Sequence, residues 1–251
     1  MPGVQGRVAL VTGAGRGIGR VTAELLASRG ARVMAVARSE NELRTLGLDY
    51  VVADLGTPEG CTRAVEETEG RLGHVQILVC NHGIGSAHEG VIWEQDPESW
   101  RETMRINLDG PFYLSRSVVR SMVEDRYGRV VYTSSTSALV AEYAASAYNS
   151  SKSGLLGLMR SVAQDAGPHG VTSNAVLPGW VRTPMAERSA EAEARERGIG
   201  PEEVWAERAA LYPPGRVVMP EEVAEVITFL ASEESSGVSG EAIPVALGSV
   251  W

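Results

Sequence analysis

Continuous apolar runs alternate with longer amphipathic stretches along the chain. The first run, Val8–Val11, contains no polar residue, which is typical of a strand buried on both faces of a parallel sheet. The stretch through Val21, Leu25 and Leu26 indicates a helix. Further strands are predicted at residues 32–37, 50–53, 75–79, 129–133, 171–176 and 240–246. Strands that alternate with helices form right-handed βαβ units, so the pattern predicts an α/β fold around a parallel sheet.

Two of the predicted helices follow later, a long one from about Pro97 to Asp125 and a last one at residues 221–231. The long helix contains Pro111, which has no N–H, so the carbonyl of Asn107 has no partner within the helix. Asn107 therefore offers a backbone acceptor as well as its side chain. The other interpretation is a helix kink compensated by water, without a role in chemistry.

The composition changes after the sixth strand. Residues 186–214 are rich in Glu, Ala and Arg, and Gly198, Gly200 and Pro201 divide them into two helical pieces. Charged pairs at helical spacing favour a solvated helix, whereas the position after a strand-end loop favours a mobile lid over about 185–216. Because the chain has no repeat, low-complexity tract or linker, its 251 residues are predicted to form one domain.

The first strand runs directly into a glycine-rich segment and then into a helix. A phosphate-binding fingerprint needs this context, because glycines let the backbone approach a pyrophosphate and the helix N-terminus offers free N–H groups. The spacing is Gly-x-x-x-Gly-x-Gly rather than the commoner Gly-x-Gly-x-x-Gly, and a flexible glycine turn is the alternative. The candidate cofactor-binding residues in this loop are Gly13, Arg16, Gly17, Ile18 and Gly19.

The end of the second strand bears on the choice of cofactor. Dinucleotide folds that prefer NAD carry an acidic residue there, which binds the ribose 2′-hydroxyl. This chain has Ala37 followed by Arg38, and Arg16 in the glycine loop could reach the same place. Two arginines without an acid favour a 2′-phosphate, and therefore NADP(H) over NAD(H). If Arg38 only stacks on the adenine, either cofactor fits.

Polar residues also follow the third and fourth strands. Asp54 and Leu55 come after the third strand, where Asp54 could accept a hydrogen bond from an adenine amino group or cap the next helix. Asn81 and Gly83 come after the fourth strand. Ligands of open α/β sheets bind beyond the carboxyl ends of the strands, so these residues join the predicted cofactor site.

Tyr148 and Lys152 are the candidate catalytic pair. Four residues apart on a helix, they lie on one face about one turn from each other. An ammonium beside a phenol favours the phenolate and lowers the tyrosine pKa, which suits a proton donor to a carbonyl oxygen. Ser135, at the end of the fifth strand, could hydrogen-bond the same substrate oxygen or only cap a turn. Since the chain has no Gly-x-Ser-x-Gly elbow, Ser135 is not interpreted as a nucleophile.

Composition argues against several classes of function. The net charge of -9 and the lack of a basic run argue against nucleic acid as a partner, while a small anionic ligand stays compatible. Cys61 and Cys80 do not form a CxxC pair and the four histidines show no ligand spacing, so no disulfide framework or metal site is expected. The sequence shows no signal peptide or membrane span, and a cytoplasmic protein is expected.

Together these motifs resemble the short-chain dehydrogenase/reductase family over nearly the whole chain, in its form with one Rossmann-like domain. The shared motifs are Thr12-Gly-x-x-x-Gly17-Ile-Gly19, Asp54, Asn81-x-Gly83, Asn107, Ser135, Tyr148-x-x-x-Lys152, Pro178-Gly179 and Thr183. The resemblance implies a doubly wound, seven-stranded parallel sheet with helices on both faces, assembled as a homotetramer. The length of residues 186–214 resembles the longer substrate loops of polyketide-type and 3-oxoacyl reductases.

The resemblance also implies a catalytic tetrad. Tyr148 would be the general acid/base, and Lys152 would lower its pKa and hold the nicotinamide ribose. Ser135 would orient the substrate carbonyl. Asn107 would hold a water that links Lys152 to a proton relay, which agrees with the free carbonyl expected from Pro111.

The loop after the sixth strand completes the implied cofactor site. Val181 and Thr183 would hold the nicotinamide carboxamide, next to Pro178 and Gly179. Two segments depart from the family pattern. The chain has Cys-Asn-His-Gly at residues 80–83 where the family often has Asn-Asn-Ala-Gly, and it lacks the usual acid and two glycines after the last strand.

These features predict reversible hydride transfer between NADP(H) and a carbonyl/secondary alcohol pair, with a small-molecule or acyl-carrier-linked ketone as the substrate. The alternatives are an NAD(P)-dependent polyol, sugar or steroid dehydrogenase that works oxidatively, and a dinucleotide-binding regulator without catalysis. The candidate residues of the substrate pocket are Ser137, Val140, Tyr143, Trp180 and Met185, and Trp93 and the lid could add an apolar wall.

Overall fold

The computed structural model describes residues 3–85 and 90–249. Seven strands form one sheet in which every strand pair is parallel. The strands are β1 (Val8–Thr12), β2 (Arg32–Ala37), β3 (Asp49–Val52), β4 (Ile77–Cys80), β5 (Gly128–Thr133), β6 (Val171–Pro178) and β7 (Ala242–Val245). The predicted seven-stranded parallel sheet is confirmed, and the strand ends differ from the predicted ones by at most two residues.

Helices cover both faces of the sheet. They are α1 (Gly17–Ser28), α2 (Glu40–Arg44), α3 (Pro58–Leu72), α4 (Pro97–Met104), α5 (Gly110–Glu124), α6 (Ser146–Ala166), α7 (Pro184–Arg197), α8 (Pro201–Ala210) and α9 (Pro220–Leu230). One buried cluster joins the sheet to α3, α5 and α6 and includes Leu114 and Leu155. A second cluster, with Leu26 and Ile227, joins the opposite face to α1 and α9. The short helix α2 was not predicted.

The strand order places a crevice at the centre of the sheet. The order is β3-β2-β1-β4-β5-β6-β7, so the chain moves outward from β1 to β3 and then returns to place β4 on the other side of β1. At such a switch point the loops after the two central strands separate, and ligands bind between them. The glycine-rich loop follows β1 and Asn81 follows β4, so both predicted cofactor segments lie at this crevice.

The long predicted helix is interrupted beside this crevice. Residues Arg105–Asp109 form a π turn between α4 and α5, and the Gly110 N–H bonds the Arg105 carbonyl five residues earlier. Pro111 explains the interruption, because it cannot donate to the Asn107 carbonyl as the α-helical pattern requires. Asn107 lies in this π turn with a fully buried side chain, and the free backbone carbonyl expected from Pro111 stays a prediction.

Helices α7 and α8 form a small core of their own. Ala190, Val204 and Trp205 are buried between them. The Arg208 guanidinium, 5% exposed, lies 3.7 Å from the centre of the Trp180 ring, and its Nη2 is 2.9 Å from Glu193. Residues 186–214 therefore contain buried, packed side chains as well as charged ones. The interpretation as a solvated helix does not explain these buried side chains. That this segment acts as a mobile lid stays a prediction.

A substitution at Gly110 would show how tightly the π turn is packed. A Cβ at this position would overlap the Leu55 carbonyl oxygen and the His82 ring, whereas a Cβ at Gly157, inside α6, would meet no atom within 4 Å. We expect Gly110→Ala to lower the free energy of unfolding by at least about 2 kcal/mol. Gly157→Ala is the matched control and should raise it by roughly 0.5–1 kcal/mol. Urea unfolding measures both, and equal effects would contradict the packing described.

Candidate active site

The catalytic pair predicted from sequence lies at the carboxyl end of β5. Helix α6 carries Tyr148 and Lys152 one turn apart, and the Lys152 Nζ is 5.6 Å from the centre of the Tyr148 ring. Lys152 is 5% exposed. It is also the only lysine in the chain, against 22 arginines. A lysine differs from an arginine in being a compact charge whose pKa can shift, so its single use at this position points to chemistry.

Two hydrogen bonds fix Lys152 to the end of β5. Its Nζ donates to the Thr133 carbonyl at 3.0 Å, and its own carbonyl accepts from the Ser134 hydroxyl at 2.8 Å. Burial lowers the pKa of Lys152 from 10.5 to about 8. The pKa of Lys152 therefore lies close to neutral pH, and its two hydrogen bonds to the end of β5 fix its position.

Asn107 connects three parts of the site. Its Nδ2 donates to the Ile84 carbonyl at 2.9 Å and its Oδ1 accepts from the Ile84 N–H at 2.8 Å. The same Nδ2 lies 3.2 Å from the hydroxyl of Ser151, which donates to the Tyr148 carbonyl. Gly83 lies against both Asn107 and Lys152. The side chain is thus occupied by protein groups, and the implied water-holding role stays a prediction for its backbone carbonyl.

Ser135 follows β5 and is 7% exposed. Its Oγ accepts from the Ser137 N–H at 3.1 Å and lies 2.8 Å from the Ser137 Oγ. Ser137 in turn donates to the Glu142 carboxylate at 2.6 Å. Ser137, predicted as a pocket residue, is only 3% exposed and supports Ser135. Sequence analysis missed Glu142, which carries no motif.

The glycine-rich loop has the features that a pyrophosphate needs. Gly13 and Gly17 have φ angles of 64° and 56°, which a residue with a Cβ rarely adopts. The first turn of α1 contains no acidic residue, and Arg16 before it makes no side-chain cap. The N–H groups of this turn therefore stay available to an anion. The Thr183 methyl packs beside Gly17, so the loop after β6 also reaches this point.

The remaining cofactor candidates line the same edge of the sheet. The Ile18 side chain packs on the core, and Gly19 approaches the Gly13 carbonyl too closely for a Cβ. The Leu55 side chain is buried in the core. Pro178 ends β6, the Gly179 N–H donates to Val245 at 3.1 Å, and Val181 is buried and bridged to Val218.

The two predicted arginines have different surroundings. Arg38 is exposed and makes no ion pair with the described residues. Arg16 forms an ion pair with Glu42, with Nη1 and Oε1 3.2 Å apart. Glu42 lies on the unpredicted helix α2, so sequence analysis missed an acid next to the proposed 2′-phosphate site. A bound phosphate must compete with Glu42 for Arg16.

Asp54 is held by a second arginine that the sequence did not single out. Partial burial opposes its ionisation, but the Gly56 N–H and the nearby Arg105 hold the pKa of Asp54 below its ordinary value. The Arg105 Nη1 is 3.4 Å from Asp54, and Arg105 also pairs with Glu102. Asp54 is therefore a charged acceptor at the crevice.

His82 replaces the alanine of the family pattern and makes a specific contact. Its Nδ1 lies 2.8 Å from the Thr12 Oγ1, and the Thr12 hydroxyl donates to the Val79 carbonyl at 3.0 Å. Because Thr12 has one proton, the His82 Nδ1 is the donor between them. Burial, together with Lys152, lowers the pKa of His82 to about 3, so the ring is neutral. The same Thr12 oxygen accepts from the Asn81 N–H, which fixes the loop after β4.

Several of the residues predicted to form the substrate pocket are exposed apolar side chains. Val140, Tyr143 and Met185 are 45%, 89% and 40% exposed, and Trp93 is 79% exposed. Trp180 instead packs on Arg208, as described above. That these residues contact the substrate stays a prediction.

Residues 3–85 and 90–249 contain no cluster of potential metal ligands, and His88 lies outside this part of the chain. None of the helices in the same part is long and apolar enough to cross a bilayer.

Comparison with known proteins places the chain among characterised families. A family model described as enoyl-(acyl carrier protein) reductase matches residues 13–249. The 3-oxoacyl-(acyl-carrier-protein) reductase FabG of Escherichia coli is 34% identical over 248 residues, which cover 96% of each chain. The chain belongs to the short-chain dehydrogenase/reductase family. The resemblance inferred from the motifs is confirmed.

Two solved structures of this family are close to the present one. Levodione reductase is 30% identical with a TM-score of 0.92, and the match covers 97% of both chains. A variant of actinorhodin polyketide ketoreductase, crystallised with NADPH, is 32% identical with a TM-score of 0.90 and covers 96% of both chains. The fold matches that of solved members of the family over nearly the whole chain.

The lowered pKa of Lys152 makes stability depend on pH. Since the folded pKa of about 8 lies below the ordinary 10.5, burial of the ammonium destabilises the fold fully below about pH 8, and the effect disappears as the pH rises toward 10.5. We expect the free energy of unfolding of cofactor-free Lys152→Met near pH 7 to be roughly 1–3 kcal/mol higher than that of the wild type. This advantage should shrink above pH 8. Urea unfolding at several pH values measures it, and a constant difference would contradict the buried charge.

Proposed function

We propose that this protein transfers a hydride reversibly between NADP(H) and a ketone/secondary-alcohol pair, and that its substrates are 3-oxoacyl compounds or other ketones. One observation carries the proposal. The only lysine of the chain is buried, fixed to the end of β5, and placed one helical turn from Tyr148. A buried ammonium beside a phenol is the arrangement that proton transfer to a carbonyl oxygen requires.

The chain supplies the proton and the orientation. Lys152 stabilises the Tyr148 phenolate, so that Tyr148 donates its proton to the substrate oxygen in reduction and recovers it in oxidation. Ser135 binds the same oxygen from the end of β5. Asn107 positions Ser151 and the loop at Ile84 around this group. The bound cofactor supplies the hydride.

Several features support a nicotinamide dinucleotide at the crevice. The open first turn of α1 suits the pyrophosphate, and ionised Asp54 suits an adenine amino group. Arg38, without an ion pair to the described residues, suits a 2′-phosphate, with Arg16 as a second donor. The ketoreductase crystallised with NADPH supports the same choice by similarity. NADP(H) is therefore proposed over NAD(H).

The substrate class rests on relatives and on the exposed apolar residues. The similarity to 3-oxoacyl-(acyl-carrier-protein) reductases and to a polyketide ketoreductase supports ketones with an acyl chain or a bulky ring. Val140, Tyr143 and Met185 offer an apolar surface for such groups. A regulator without catalysis would not need a buried ammonium, which is costly to keep. A cytoplasmic homotetramer remains part of this proposal.

Cofactor preference is tested by fluorescence titration with NADPH and NADH in parallel. We expect NADPH to bind at least about tenfold tighter, because charged hydrogen bonds to a phosphate are strong. Arg38→Ala should remove most of this preference. Glu42→Gln should increase it about two- to fivefold by releasing Arg16. Arg44→Ala, an exposed arginine on α2, is the control. Equal binding of both cofactors by the wild type would overturn the arginine clamp.

Tyr148→Phe tests the proton donor. We expect turnover of 3-oxo esters to fall by roughly 10²–10⁴-fold, because the variant keeps the ring and loses the acid/base group. NADPH affinity should change little. Assays with acetoacetyl thioesters, cyclic ketones and secondary alcohols measure the first, and titration measures the second. Near-normal turnover by the variant would refute the mechanism, and no turnover by the wild type on any of these would favour the regulator.

A further inference from the structure

A cavity lies at the amino end of the sheet, away from the proposed catalytic residues. Its volume is about 770 Å³, and small-molecule sites have volumes of roughly 300–1,000 Å³. The starts of β5 and β6, the last turn of α6 and residues 236–240 border it. Because a strand rises about 3.3 Å per residue, Arg129 in this cavity is roughly 20 Å from Ser135. The cavity is therefore separate from the cofactor crevice.

The cavity is positively charged in a protein whose net charge is -9. Among the described residues that line it there are two arginines, Arg129 and Arg160, and no aspartate or glutamate. Neither arginine forms an ion pair with the described part of the chain. The other polar side chains of the wall belong to Gln164, Thr172, Ser236 and Ser239. All of these can donate a hydrogen bond, so the cavity suits an anion.

Arg129 is a buried guanidinium with one nitrogen left over. It is 5% exposed, and its Nε donates to the Ser232 carbonyl at 3.0 Å. Its Nη1 donates to the carbonyls of Gly128 and Gly170 at 2.8 and 3.4 Å. Its Cζ lies 4.5 Å from the centre of the Tyr127 ring. Its Nη2 makes no hydrogen bond with the described residues, so two N–H groups remain for a ligand.

The charge of Arg129 is also left without a bonded carboxylate among the described residues. Burial lowers the pKa of Arg129 below its ordinary value, but a guanidinium stays protonated in proteins. Glu233 stabilises this charge electrostatically, yet its carboxylate is bonded to Arg7 at 2.7 Å. A buried cation without a bonded anion is costly, and an anion at Nη2 would offset part of that cost.

Thr172 adds an unsatisfied hydroxyl next to Arg129. The two residues are direct partners on the neighbouring strands β5 and β6. Thr172 is 7% exposed, and its Oγ1 has no hydrogen-bond partner among the described residues. Leaving a buried hydroxyl unpaired costs free energy, so such groups are uncommon. The cavity is thus bordered by two adjacent buried donors that both lack an acceptor.

We propose that this cavity binds the phosphate group of a small molecule, held by Arg129, Arg160 and the Thr172 hydroxyl. A phosphate carries close to two negative charges at neutral pH, which two guanidinium groups match. It also has a third oxygen for the Thr172 hydroxyl, whereas a carboxylate has one charge and two oxygens. The cavity is larger than a phosphate and leaves room for an organic group. This proposal does not depend on the function proposed above.

Isothermal titration calorimetry with inorganic phosphate tests the site, in a phosphate-free buffer at constant ionic strength. We expect a Kd on the order of 1 mM or tighter for the wild type. Arg160→Gln should weaken binding about 5- to 20-fold, and Thr172→Val about 3- to 10-fold. Arg129 is left in place, because its three bonds to carbonyls also support the fold.

Two further arginines provide matched controls. Arg126 is exposed at the same end of the sheet, where its Nη2 bonds the Pro168 carbonyl at 3.4 Å, and it is not part of the cavity wall. Arg38 lies at the cofactor crevice. Arg126→Gln and Arg38→Gln should each keep phosphate affinity within about twofold. A loss in Arg126→Gln equal to that in Arg160→Gln would indicate only a diffuse positive surface and would overturn the site.

Thr172→Val also has a readout in the phosphate-free protein. Because the hydroxyl has no partner, the variant should be at least as stable as the wild type toward urea, and phosphate should stabilise it less. A loss of stability without phosphate would show that the hydroxyl is used within the protein, which would contradict the proposal.

Ribose 5-phosphate and acetate complete the test. Tighter binding of ribose 5-phosphate than of inorganic phosphate, lost in the same variants, would support a phosphate ester as the ligand. The reverse order would support free phosphate at the same site. Acetate that binds as tightly as phosphate, unchanged phosphate binding in Arg160→Gln and Thr172→Val, or no phosphate binding by the wild type would each overturn the proposal.

Discussion

The other residues of this site are positioned around one buried ammonium group. Removing Lys152 from water costs free energy, and the Thr133 carbonyl at the last residue of β5 offsets part of that cost. Because every residue of β5 is buried, the position of this carbonyl is as fixed as the core of the sheet. Tyr148 and Ser135 then take their places relative to Lys152, one on the same helix and the other just after the same strand.

The sequence predicted what depends on local pattern or on a motif. Strands β1 and β4 were found because they are apolar runs buried on both faces, so their composition differs sharply from their flanks. Asn107 was singled out because Pro111 lacks the N–H that would bond its carbonyl four residues earlier, although the π turn itself was not predicted. The helix α2 was missed, since five residues are too few to show a periodicity.

Contacts between distant segments could not be read from the sequence in the same way. Glu42 meets Arg16 only because α2 and the glycine-rich loop follow neighbouring strands. His82 reaches Thr12 across 70 residues, and Trp180 packs on Arg208 from the next helical segment. Glu142 is closer in sequence to Ser137, but nothing marks it as different from any other surface acid. Such contacts depend on how the helices and strands pack against one another. They add neighbours to a site whose main residues were predicted from the motifs.

The presence of a single lysine has a practical consequence. Apart from the α-amino group, every other basic side chain except histidine is a guanidinium, so amine-directed reagents have one side-chain target in the chain. That target is 5% exposed and lies at the crevice where the cofactor is proposed to bind. Acylation or reductive methylation, followed by mass spectrometry of the peptide that contains Lys152, therefore reports the accessibility of one atom in the proposed active site, without isotopic labelling or mutagenesis.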